Sequence, residues 1–86
     1  MEKEYEYTVA TENSPEMFRK ACRIIESELR KAQKDDILTD VDGSTIQLYR
    51  IDGKEIAVYD DYDIGAVFVE SDIDLGKMFG KNNMAG

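Results

Sequence analysis

SPEMFRKACRIIESELRKAQK, residues 14–34, is the stretch on which the fold turns, because it alone holds a helical pattern over several turns. Phe18, Cys22, Ile25, Leu29 and Ala32 recur at three- and four-residue spacing with Ala21 beside them, so they make one apolar stripe. Met17 and Ile24 widen it on one flank, and Arg19, Lys20, Arg23, Ser27, Arg30, Lys31 and Lys34 fall on the far side. Ser14-Pro15-Glu16 is a helix start: a hydroxyl cap, a proline where its missing N–H costs nothing, and an acid at the positive end of the dipole. Carried to Lys34, such a helix would measure on the order of 30 Å, enough to lie across a whole sheet. Lys31 and Lys34 would suit its carboxyl end, and no other stretch reads as a second helix.

The flanking sequence changes period. Glu4–Thr11 alternates, with Tyr5, Tyr7 and Val9 on one side and Glu4, Glu6 and Thr8 on the other, as a half-buried strand requires. Beyond Lys34-Asp35-Asp36 the chain turns to short strand-like runs punctuated by Asp42-Gly43 and Asp52-Gly53, since tight hairpin turns need the positive φ that Gly and Asp tolerate. Thr45–Ile51 and Lys54–Asp60 flank the second turn as a hairpin, with Ile46 and Leu48 on one side and Ile56 and Val58 likewise. Ile64–Glu70 is more continuously apolar and suits a central strand, and Ile37–Val41 is a further short candidate. Leu75, Met78 and Phe79 are docking residues ahead of a frayed Lys81–Gly86, within an expected flexible tail at 77–86. The expected fold is a single α+β two-layer domain: one long helix on one face of a mainly antiparallel sheet of four to five strands, in the order β-α-β-β-β.

Composition narrows the chemistry. Of 86 residues, 42% are apolar and 35% charged, which fits one small folded domain. No run approaches the roughly 18 apolar residues of a membrane helix, and the Glu/Lys-rich start lacks a leader pattern, so a cytoplasmic protein with no membrane partner is expected. Cys22, the only cysteine, sits on the apolar stripe as an inert buried thiol, and histidine is absent. A structural zinc site or a histidine-activated nucleophile therefore cannot be assembled within one chain. No phosphate-cradling glycine loop or nucleophile elbow occurs, and Asp61–Gly65 and Asp72–Gly76 miss the calcium-loop spacing. The sequence reads as non-enzymatic, with no cofactor and no metal.

The net charge of −8 is unevenly spread. Residues 14–34 carry six bases and three acids, whereas residues 35–76 carry twelve acids against Arg50 and Lys54. Acids recur two apart at Glu2/Glu4/Glu6, Asp40/Asp42, Asp61/Asp63 and Asp72/Asp74, a pattern that serves turns and solvated edges or forms a negative recognition surface. The functional expectation is an acidic protein-binding module of the inhibitor, immunity or accessory type, meeting an unidentified basic partner. Its candidate contacts are Asp60, Asp61, Tyr62 and Asp63, with Tyr49 and Tyr59 on a sheet face turned from the helix, against packing in the core as the plainer reading of those two. The alternative is nucleic-acid binding through a basic helix face, Arg19, Arg23, Arg30 and Lys34. Self-association as a homodimer, through a sheet edge or the tyrosine face, is the third reading.

Overall fold

A computed structural model of the chain describes residues 3–79, so Glu2 and the expected frayed segment Lys81–Gly86 lie outside the described residues. The elements are β1 (Tyr5–Ala10), α1 (Pro15–Glu28), β2 (Gln33–Lys34), β3 (Leu38–Thr39), β4 (Thr45–Ile51), β5 (Lys54–Asp61), β6 (Ala66–Ser71) and α2 (Gly76–Phe79). The strands form one antiparallel sheet in the order β1-β6-β5-β4-β2, with β3 also paired to β4. The α+β class is as expected, but the described residues form six strands instead of four to five, and a second, one-turn helix, Gly76–Phe79, takes in the first residues of the tail expected at 77–86.

The main helix starts as its sequence dictates and stops early. Ser14 is extended and its Oγ accepts the Met17 N–H at 3.1 Å, with Pro15 at the first helical position. It ends after Glu28, where Leu29 adopts φ −120° and ψ 70°, so 14 residues are helical and the rod is about 21 Å long. The reason lies outside the segment. Gln33 and Lys34 leave the helix to pair with Arg50 and Tyr49 of β4, so strand hydrogen bonds displace the helical continuation that the spacing of Leu29 and Ala32 allowed. Leu29 and Ala32 still pack against the core from this turn.

Register assigns the faces, because cross-strand partners point the same way. The row Tyr7↔Val69↔Val58↔Gln47 and the row Tyr5↔Ser71↔Ile56↔Tyr49 face the helix. Phe18, Ala21, Cys22 and Ile25 cover them, and these side chains with Tyr7, Tyr49, Ile56, Val58, Val67, Val69 and Leu75 make the core. The row Thr8↔Phe68↔Tyr59↔Ile46↔Leu38 crosses the other face. Ile46 and Leu48 therefore lie on that face while Ile56 and Val58 lie under the helix.

The C-terminal arm is riveted to the first strand. The buried Tyr7 hydroxyl accepts the Leu75 N–H at 2.7 Å and donates to Asp74 Oδ1 at 3.1 Å, and its ring meets Phe79 at 6.0 Å between centroids. Burial raises the Tyr7 phenol above its ordinary pKa, opposed by the Leu75 N–H and aided by Asp74.

Candidate functional site

In an antiparallel meander alternate turns fall at the same end. The connection 40–44 between β3 and β4 and the connection 62–65 between β5 and β6, with Asp61 at the end of β5, consequently share one end of the sheet, and their own aspartates build them. Asp40 Oδ1 accepts the Val41 N–H at 2.8 Å and Asp42 Oδ1 accepts the Ser44 N–H at 2.9 Å, while the Asp40 N–H donates to the Ser44 carbonyl at 2.8 Å. The Ser44 backbone hydrogen bond, supported by its side chain, holds the Asp42 carboxyl below the usual range. Asp61 Oδ1 accepts the Asp63 and Ile64 N–H groups at 2.8 and 3.0 Å, and the Gly65 N–H closes the loop on the Asp61 carbonyl at 2.8 Å.

The two loops are joined to each other and to the helix entrance. The buried Ser44 hydroxyl accepts the Tyr62 N–H at 2.8 Å, and the Tyr62 ring lies so close over Gly43 that a Cβ there would stand 3.1 Å from it. Gly43 also has φ +93°, a second reason for glycine at this position. From the segment before the helix, Asn13 Nδ2 donates to Asp60 Oδ1 at 2.8 Å and to the Asp61 carbonyl at 2.9 Å. The tip is thus a hydrogen-bonded platform and not two independent loops.

Onto this platform the chain places apolar side chains in water. Val41 is 102% exposed, Ile64 65% and Tyr62 47%, and Leu38 at the edge of the neighbouring sheet face is 50% exposed. They stand among Asp40, Asp42, Asp61 and Asp63, and neither loop contains a lysine or arginine.

Of the residues expected to meet a partner, Asp61, Tyr62 and Asp63 lie on this tip. Asp60 does not reach the surface: it is 3% exposed and spends its carboxylate on Asn13. Tyr49 is likewise internal, 1% exposed beneath the helix, with its hydroxyl on Glu26 Oε2 at 2.6 Å. Tyr59 does lie on the face turned from the helix, stacked on Phe68 at 4.7 Å between centroids and 12° between planes, and burial raises its phenol above the ordinary pKa. Val41, Ile64 and Leu38 were not among the expected contacts. The expected strands Ile37–Val41 and Ile64–Glu70 include Val41 and Ile64, but β3 is only Leu38–Thr39 and β6 begins at Ala66, which leaves both side chains in turns that cannot bury them.

The four cations of the alternative reading do not share a helical face. Arg19 and Arg23 are exposed on α1, Arg30 lies in the turn after it, and Lys34 is on β2 with its ammonium on Glu26 Oε2 at 3.0 Å. The Tyr49 hydrogen bond first, then Lys34, holds the Glu26 carboxyl below the usual range.

Among the described residues no group of three or more Asp, Glu, Cys or His side chains could hold a metal ion, and no helix is long and apolar enough to cross a membrane. Compared with known proteins, the chain matches no family model, no curated protein and no solved structure.

Proposed function

We propose that the chain is a non-enzymatic protein-binding module whose tip docks on a basic partner. The observation that carries this reading is that Val41, Tyr62 and Ile64 project from two mutually hydrogen-bonded loops whose other exposed side chains are carboxylates. Exposed apolar residues on a braced platform supply the desolvated centre of a contact, and a rim of one charge sign selects and steers a partner of the other sign. The platform is held in place by its own turns, so little ordering cost falls on binding.

The test is affinity capture with the wild-type chain and with Val41→Ser/Ile64→Ser, followed by a salt titration of whatever complex is recovered. A partner retained at low salt, released as ionic strength rises and absent from the doubly substituted bait supports the tip. Retention that ignores salt, or that survives the two substitutions, sinks it. A gel-shift assay with random DNA and RNA at low salt addresses nucleic-acid binding, and retention abolished by replacing Arg19 and Arg23 would favour that reading instead.

A further inference from the structure

A groove of about 220 Å³ lies between α1 and the segment 34–37, away from the tip. Its walls mix three chemistries. Arg19, Arg23 and Lys34 line it with positive charge, Phe18 and Ile37 supply apolar surface, and Gln47 reaches it from β4. Glu26 also borders the groove but is engaged by Lys34 and by the Tyr49 hydroxyl. None of the ion pairs within 4 Å among the described residues involves Arg19 or Arg23, although Arg23 stands close enough to Glu26 to favour its ionised form, so both guanidinium groups at the rim keep their hydrogen-bond donors for a ligand.

Gln47 is the second, independent observation. Its side chain is in a residue only 3% exposed, and its Nε2 is committed to the Asp35 and Leu48 carbonyls, which fixes the orientation of the amide. No donor among the described residues reaches its Oε1. A buried acceptor without a donor costs free energy, and because Gln47 lines the groove, a ligand N–H or O–H that reached its Oε1 there would recover it.

These features select a ligand. The guanidinium groups call for an anion, the Gln47 oxygen for a donor separate from that anion, and Phe18 and Ile37 for an apolar substituent. The volume is below the roughly 300–1,000 Å³ of drug- and cofactor-sized sites, so what the groove itself holds is a group about the size of one amino acid. We propose that this groove binds an acylated α-amino carboxylate with an apolar side chain, the chemistry shared by a free N-acyl amino acid and by the last residue of a polypeptide. The carboxylate meets Arg19 and Arg23, the amide N–H meets Gln47 Oε1, and the side chain covers Phe18 and Ile37.

The experiment is an amide NMR titration of the full chain with N-acetylleucine up to on the order of 10 mM, a range suited to a fragment-sized ligand. Saturating shifts confined to Arg19, Cys22, Arg23, Gln47 and Ile37, with affinity about tenfold weaker in Arg19→Gln/Arg23→Gln, are expected. Both arginines are exposed, so this variant keeps the fold, which its unperturbed starting spectrum verifies. N-acetylleucinamide, which lacks the anion, should produce no saturating shifts. A peptide ending in a free leucine carboxylate that binds more tightly than N-acetylleucine assigns the site to polypeptide ends, and equal affinity assigns it to the small molecule. Absence of saturable shifts, equal response to the amide, or indifference to the arginine substitutions overturns the proposal, whatever becomes of the tip.

Discussion

Tyr49 and Glu26 are bonded across the two layers: the phenol in the middle of β4 donates to Oε2 in the last turn of α1 at 2.6 Å, and Lys34 of β2 closes on the same oxygen at 3.0 Å. Helix end, central strand and edge strand thus meet at one carboxylate. Burial first, and the Glu26 hydrogen bond second, push the Tyr49 phenol far above its ordinary value. In the unfolded chain the phenol gives up its proton near pH 10, while the folded chain retains it. The stability this contributes is complete below pH 10 and is lost as pH rises beyond it. Tyr49→Phe should cost about 1–2 kcal/mol at pH 7 and flatten the alkaline limb of a urea-midpoint profile, with Tyr7, Tyr59 and the Cys22 thiol, all raised by burial, and Lys3, raised by its hydrogen bond to Glu55, contributing to the slope that remains.

On the acid side the sign reverses. Glu26 and Asp42 are both held below their ordinary values, so their contribution is present above the unfolded carboxylate range and is lost as pH falls through their folded values. Glu26→Gln should therefore lower stability at pH 7 and shrink the difference in urea midpoint between pH 7 and pH 3. An unchanged difference would show that the carboxylate is idle.

The early helix stop has its own signature. Glycine in a helix interior costs close to 1 kcal/mol more than a straight-chain residue, so Lys20→Gly should lower stability by about that amount. Lys31→Gly, beyond the observed end at Glu28, should fall within about 0.5 kcal/mol of wild type. Equal penalties in urea denaturation would mean that the helix runs on as its spacing alone implies.

Gly43 reports on the platform. Gly43→Ala adds a Cβ at φ +93° and 3.1 Å from the Tyr62 ring, so it should cost at least about 1 kcal/mol. Because the Tyr62 N–H is bonded to Ser44 Oγ, hydrogen exchange at that amide should accelerate by more than at Val58 or Val69 in the buried strands.

The core offers the reference point for these smaller effects. Ile25 is fully buried between helix and sheet, and Ile25→Ala should cost about 2–5 kcal/mol, measured by the same denaturation.

What could be read from residues alone was what residues decide locally. Ser14-Pro15-Glu16 starts the helix, and Asp52-Gly53, with φ of 53° and 76°, closes the hairpin, because both depend on the conformational freedom of a few neighbouring positions. The end of the helix was hidden because it is decided by Arg50 and Tyr49, distant in sequence, which claim Gln33 and Lys34. The two-residue turn did contain one further inference. Pairing Ile51 with Lys54 sets Ile46 opposite Tyr59 and Ile56 opposite Tyr49, so the parity of the register alone sends the two tyrosines to opposite faces. The tip was half legible: its aspartates mark turns, but only the folded chain shows that Ser44 and Tyr62 tie two turns together and that Asp60 faces inward.

The rivet between Tyr7 and Leu75 spans 68 positions, and among the described residues β1 pairs only with β6. During translation β1 emerges before the other strands of its sheet and is therefore the last of them to find its place. The helix and the β4–β5 hairpin can assemble behind it, but Ile56 and Val58 lack their neighbours until Val67 and Val69 have emerged. A nascent chain halted before that point leaves the β5 edge without its neighbour, and the sheet closes only when β6 and the Leu75 rivet behind it have emerged.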